Sequence, residues 1–180
     1  MKNTDKGYNY SNVSKEFYDI VPHERAIKIA DYEFFWDCVD ELAPFGSDES
    51  YMAFAELCDW REDYPDADII ECYKWILSCW GLELEEYDES IIENENIVKI
   101  IKDLDFEEEL LMLDLTIIAT GFGQLILEGK IDNDVKNIIH LALLRQMNHN
   151  VLDAFLGSNE SWKYDRYKYL QILLTILEEA

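Results

Sequence analysis

The sequence predicts an all-α protein: a single compact multi-helix domain of about seven or eight helices over residues 15–180, behind a flexible N-terminal tail over 1–14. Three observations carry this expectation. Apolar residues recur at three- and four-residue spacing almost without a break from Ser14 to the C-terminus. No segment alternates apolar and polar residues as a strand does, and no long internal repeat emerges. Proline, glycine and capping acids punctuate the pattern at intervals that suit ordinary helices. With 180 residues, about half apolar and 13% aromatic, the chain has what a core needs and is not a disordered acidic tail.

The elements follow in order. Met1 to Ser14 is polar and aperiodic. Pro22 suits the first turn of a short helix through Ala30, and Asp31 then reads as the N-cap of a helix over Tyr32 to Leu42, with Phe35, Val39 and Leu42 inward. Pro44-Phe45-Gly46 stops that helix. Ser47 or Asp48 caps the next, which reaches about Asp63 with Met52, Ala55, Leu57 and Trp60 on its apolar side. Tyr64-Pro65-Asp66 breaks the pattern, Asp66 or Asp68 starts an amphipathic segment over Ile69 to Trp80, and Gly81 ends it. Leu82 to Asn96 reads as an acidic loop leading into a helix near Ile91 to Leu104.

From Phe106 the chain turns strongly apolar, predicting a helix covered on most sides. Gly121 and Gly123 each cost about 1 kcal/mol of helix propensity relative to Ala, which predicts close approach of neighbouring helices there. Gly129 closes this helix, and Asp132 N-caps another carrying Val135, Ile138, Ile139, Ala142, Leu143 and Met147. A last helix covers about Glu160 to Glu178, with Tyr167, Leu170, Leu174 and Leu177 on one face.

Charge is distributed unevenly along this frame. Of the net −24, residues 31–114 hold −23, from 27 acids against Arg61, Lys74, Lys99 and Lys102. The rest is nearly neutral, with 12 acids against 11 Lys and Arg. The domain therefore divides into acidic helices over 31–114 and a near-neutral helical backing over 115–180. A one-signed surface opposes phosphate backbones and anionic lipid, which disfavours nucleic acid and membrane as partners and favours a basic protein. No apolar run of membrane-spanning length and no hydrophobic leader stands out, so a cytoplasmic protein is expected.

Chemical motifs are scarce. There is no P-loop, no GxSxG and no HExxH; His23, His140 and His149 are far apart, so core or surface roles are expected for them. Cys38, Cys58, Cys72 and Cys79 fit no zinc spacing and lie in apolar patterns, which predicts buried reduced thiols. Carboxylates at four-residue spacing, such as Asp37 with Glu41 and Asp59 with Asp63, are too abundant to mark a metal site. No catalytic residue, metal ligand or cofactor is assigned.

Two segments resemble a known family. Phe34-Phe35-Trp36-Asp37-Cys38-Val39-Asp40-Glu41 with Ala43-Pro44-Phe45-Gly46-Ser47-Asp48-Glu49, and Ile118-Ala119-Thr120-Gly121-Phe122-Gly123-Gln124-Leu125 with Leu127-Glu128-Gly129-Lys130-Ile131-Asp132, are similar to the YfeS-like family of small acidic, uncharacterised bacterial proteins. The resemblance spans roughly Asp31 to Gln146. It implies a compact helical bacterial domain and transfers no catalytic residues.

The functional expectation is a non-enzymatic interaction protein, of immunity-protein or inhibitor type, that binds and neutralises a basic protein through an acidic helical surface. Its expected partner-binding residues are Asp37, Asp40, Glu41, Asp48, Glu49, Asp59, Trp60, Glu62, Asp63, Glu83, Glu85, Glu86, Asp88 and Glu89. Trp36, Trp60, Trp75 and Trp80 all sit beside acids as an interface anchor would, although core positions are the more ordinary reading for such tryptophans. The alternatives are a self-associating regulatory or scaffold domain, such as a homodimer, and a carboxylate-based metal-dependent enzyme.

Overall fold

A computed structural model describes residues 20–102 and 110–180. The expected tail over 1–14, the domain start at 15 and the onset of the apolar helix at Phe106 lie outside the described residues. Among the described residues there is no strand, and the elements are α1 (Glu24–Ile29), α2 (Asp48–Asp63), α3 (Ile69–Cys79), α4 (Asn94–Lys102), α5 (Leu113–Glu128), α6 (Asn133–Gln146), α7 (His149–Leu156) and α8 (Glu160–Glu179). Short 3-10 turns at Glu33–Trp36, Leu84–Glu86 and Glu89–Ile92 join them. The all-α expectation holds.

α5 is the axle. Every residue from Leu113 to Ile126 is buried, because α2, α6, α3 and α1 pack around it. Counted from Leu110, this helix is long and apolar enough to cross a membrane, contrary to the expectation that no such run exists, and 83% of its apolar window is covered by the domain. Gly121 and Gly123 face opposite neighbours, as residues 200° apart on a helix must. A Cβ on Gly121 would lie 2.3 Å from Ile139 Cδ1 of α6, and one on Gly123 would lie 2.6 Å from Phe54 Cδ2 of α2. The helix ends at Gly129, whose left-handed φ of 72° would strain any other residue.

α1 is stapled to the ends of two longer helices. Arg25 donates through Nη1 to Gly129 O (2.8 Å) and through Nη2 to Glu179 O (2.7 Å), placing a cation against two carbonyl-rich helix C-termini. The N-cap of α1 is His23, whose Nδ1 accepts from Arg25 N at 3.1 Å, so this histidine has a structural role. His140 and His149 fall on different helices, α6 and α7, and both are exposed.

Several expectations change. The helix foreseen over Tyr32 to Leu42 is only the 3-10 turn Glu33–Trp36. Its continuation fails because Asp37 Oδ1 captures the amides of Val39 (2.8 Å) and Asp40 (3.0 Å), and Asp40 Oδ1 captures that of Leu42 (3.0 Å). Such side-chain bonds compete with the helical ladder. Val39, expected inward, is 82% exposed. Phe34, Phe35 and Trp36 are all buried, and Phe35 meets Phe45 and Phe122 edge-on with centroids 5.7 Å apart. Gly46 is required where the loop doubles back, since a Cβ there would collide with Asp40 O.

Ser47 caps α2, its Oγ accepting from Ser50 N at 3.2 Å. Asp68 and Asp132 occupy the N-cap positions of α3 and α6 without a side-chain cap bond. α7, absent from the sequence reading, begins at the cap Asn148, whose Oδ1 accepts from Asn150 N (2.9 Å). On α8, Leu170 and Leu177 are buried as expected, whereas Tyr167 is exposed. Of the four thiols only Cys72 is fully buried; Cys38 and Cys58 are half-buried and Cys79 is exposed, because it sits on the flank of α3 beyond the packed face.

Candidate functional site

The acidic half contains two kinds of acid. Some of the expected partner-facing residues are spent on local structure. Asp37 and Asp40 build the turn described above, Glu86 accepts from Glu83 N (3.0 Å), and Asp88 accepts from Ser90 N (2.8 Å). The Ser90 side chain, and after it this backbone bond, hold the Asp88 carboxyl below the ordinary range. Glu83 accepts in return from Glu86 N, completing a capping box. Among the described residues, Glu41, Asp48, Glu49, Asp59, Glu62, Asp63, Glu85 and Glu89 have no such duty. Among the described residues, none of the expected acids forms an ion pair.

Helix geometry gathers part of this set into a line. Glu49, Glu56 and Asp63 recur every seven residues and therefore share one stripe of α2, flanking the buried face made by Ser50, Ala53, Phe54 and Leu57. Glu49, Met52, Ala53 and Glu56 form one wall of a groove whose other wall is Trp75, Ile76, Cys79 and Trp80 of α3 and its C-cap. Met112 and Thr116 complete the lining of this space of about 310 Å³. Its apolar walls are open to solvent, with Met52 60% and Trp75 44% exposed.

Two further depressions adjoin the groove. Glu49 and Met112 also line one of about 380 Å³ edged by Glu41 and Asp48, while Trp80 also lines one of about 460 Å³ edged by Glu86. Glu41, Asp48, Glu49 and Glu56 thus line two adjoining depressions that share Glu49 and Met112, while the third, which shares Trp80, is lined by both Glu86 and Arg145. Asp59 and Glu62 point elsewhere, beside Cys58, whose thiol is pushed up to about 12 by burial and then by these two charges. Glu85 lies near enough to Lys74 to help hold its ammonium charged, after the 2.7 Å bond from Glu71.

The tryptophans separate by environment. Trp36 is core, its Nε1 donating to Ala30 O at 2.8 Å. Trp60, expected at the interface, is half-buried under the Arg61 guanidinium, 5.1 Å from its ring centroid. Trp75 and Trp80 supply the open aromatic surface instead. Met52, Glu56, Trp75 and Cys79 were not expected at the site. The four-residue spacings of Met52 with Glu56 and of Trp75 with Cys79 were legible in sequence, but α2 and α3 meet only through tertiary packing on α5.

Several basic residues are engaged within the fold, and one of them, Arg145, also lines the depression edged by Glu86. Arg61 Nη2 pairs with Glu128 (2.6 Å) while its Nη1 donates to Ala67 O (2.6 Å), which fastens the end of α2 to the end of α5. Gln124 donates to Asp132 (2.9 Å) and Glu128 (3.1 Å), and Lys130 pairs with Asp132 (2.6 Å), fixing the α5–α6 turn. Deeper, Asp114 Oδ1 accepts from Tyr87 Oη (2.6 Å) and Arg145 Nη2 (2.6 Å), and Oδ2 accepts from Arg145 Nε (2.9 Å) and Gln146 Nε2 (3.0 Å). Burial alone would depress the Arg145 guanidinium, but Asp114 reverses this and holds it firmly charged.

Arg166 is buried on α8 and donates through Nη1 to Leu42 O (2.8 Å), tying the acidic loop to the last helix. Burial pushes it down to about 10, opposed by Asp114 and Asp40. Among the described residues, its Nε and Nη2 have no hydrogen-bond partner. Among the described residues, no group of three or more His, Cys, Asp or Glu side chains could hold a metal ion.

Comparison with known proteins gives one informative likeness. Over 109 residues the chain is 31% identical to the uncharacterized protein YfeS of Escherichia coli strain K12. The match covers 60% of this chain and 43% of YfeS, so the chain spans less than half the length of the curated relative it matches. No family model and no solved structure matches it.

Proposed function

We propose that this chain is a YfeS-like domain that binds and neutralises a basic protein partner through its acidic helical surface, in the manner of an immunity protein or inhibitor. The observation that carries the reading is the set of acids Glu41, Asp48, Glu49 and Glu56 lining two adjoining depressions that share Glu49 and Met112, none of which has an ion-pair partner among the described residues. Charges that served the fold alone would be distributed with mixed sign, as they are in the α5–α6 turn. Left open and one-signed, they repel each other, and a partner's Lys and Arg side chains relieve that repulsion while speeding encounter.

Capture from bacterial extract at low and high ionic strength tests this, with wild-type protein beside a Glu41→Lys, Glu49→Lys, Glu56→Lys variant. The expected result is a basic protein retained by wild type only, released as salt rises, and inhibited in its own activity when the wild-type domain is added. Identical capture by both proteins, or capture of nothing basic, overturns the proposal. Self-association is the less favoured use of this surface, because two copies would bring like-charged rims together.

A further inference from the structure

Resting on that reading, we infer that the groove between α2 and α3 receives the apolar face of a basic amphipathic helix of the partner. Two properties of the groove select this occupant over a merely polycationic one. Its lining is apolar and adaptable: Met52 and Met112 are unbranched thioethers that reshape around a guest, and the exposed Trp75 and half-buried Trp80 add aromatic surface. Trp75 and Met52 are exposed in a domain whose other aromatics at the α2–α5 contact, Phe54 and Phe122, are fully buried, so the groove has apolar surface that the fold itself does not use. The rim, by contrast, is acidic on the α2 side, with Glu49 and Glu56 on one stripe.

The spacing of that rim predicts a pattern in the partner. Glu49 and Glu56 are seven residues apart, about 10 Å along the helix axis. A helix laid alongside α2 meets both with Lys or Arg at positions i and i+7. Large apolar residues at i+3 and i+4 then lie over Met52 and Trp75. The aliphatic stems of the partner's Lys or Arg cover the groove edge, and their charged ends lie within reach of the Trp75 and Trp80 rings as well as the carboxylates. A bare anionic lipid surface meets repulsion at the same rim, and a second copy of this chain brings its own Glu49 and Glu56 to it.

Two synthetic peptides of Leu and Lys with identical composition test the inference. One is arranged with helical amphipathic period and the other is scrambled to abolish the apolar face. Affinities are measured by calorimetry at low salt for wild type, Trp75→Ala and Met52→Asp, with circular dichroism confirming that the exposed-site variants stay folded. Alkylation of Cys79, which lines the groove, supplies an independent footprint.

The expected result is binding of the amphipathic peptide at least about tenfold tighter than the scrambled one, a loss of about tenfold or more in either variant, and protection of Cys79 by the amphipathic peptide. Equal binding of both peptides, or amphipathic binding untouched by Trp75→Ala and Met52→Asp, overturns the groove while leaving the acidic-surface reading standing. Failure of both peptides to bind at low salt sinks both. Sedimentation showing a dimer of the free protein with Cys79 protected assigns the groove to a second copy and overturns the inference.

Discussion

The α5–α6 backing and the α2–α3 face handle charge in opposite ways. In the backing, Asp114 is fully buried and accepts from Tyr87, Arg145 and Gln146, so the fold answers its charge completely. On the face, Glu49 and Glu56 stand beside a groove lined by Met52 and Trp75 with no described cation paired to them. Each region also treats apolar surface differently. α5 is covered on every side, whereas the groove leaves a Met and a Trp open to water. The difference teaches that the acidity of this chain is not a property of its core chemistry: the buried acid Asp114 is fully partnered, and the acids left without an ion pair stand on the open face.

Breaking the partnered region should cost the most. Arg145→Met leaves the buried Asp114 carboxyl without its strongest donor, and the expected loss is about 3–5 kcal/mol by urea unfolding. Replacing both members, Asp114→Leu with Arg145→Met, should cost clearly less than the sum of the two single replacements, because no orphaned charge remains. Additive costs would show that the pair is not one unit. Next in size comes Gly121→Ala. It gains about 1 kcal/mol of helix propensity, yet its Cβ meets Ile139 and the Tyr73 hydroxyl, so a net loss of about 1–3 kcal/mol is expected from overpacking. A more stable variant would mean that α6 moves away freely.

These two regions were unequally legible in the sequence. α5 could be read because a helix apolar all round must be covered all round, and Gly121 and Gly123 because their cost implies a close neighbour. The loop over residues 37–46 could not, since Phe35, Val39 and Leu42 keep helical spacing while Asp37 and Asp40 quietly take the amides that a helix would use. α7 is only eight residues long and carries too few turns for a period to stand out. At the site, the acids themselves were evident, but three features depended on packing. Trp60 is covered by Arg61, Trp75 is left open, and Glu56 joins Glu49 on the groove only because α2 and α3 converge over Met112 and Thr116.

On the open face, charge reversal should barely touch stability. Glu49→Lys and Glu56→Lys, singly, are expected to change unfolding free energy by no more than about 0.5 kcal/mol, with stabilisation the more natural sign because each relieves repulsion in a strongly anionic region. The same changes should cut the association rate of a basic partner and flatten its salt dependence. A loss of about 2 kcal/mol or more at either position would place it among the structural charges and erase the contrast with Asp114.

The smallest energetic effect at neutral pH belongs to the thiols, yet they report on both regions at once. Cys72 lies on the buried face of α3, and burial pushes its thiol up to about 12 from the ordinary 9.0; burial and the charges of Asp59 and Glu62 do the same for Cys58. Both should resist iodoacetamide at pH 8 until the protein unfolds, because the thiolate is the reactive form. Cys79 is exposed on the groove wall and should react in the native state. The raised values also fix a sign. Between about pH 9 and 12 the folded chain keeps protons on Cys58 and Cys72 that the unfolded chain releases, so these groups favour folding fully below pH 9 and progressively less above it. Unfolding midpoints followed from pH 8 to 11 should therefore fall, and alkylation of Cys58 and Cys72 should rise in step with unfolding rather than ahead of it. Rapid native alkylation of Cys72 would mean that α3 opens locally from α5, and the groove it walls would then be a transient feature.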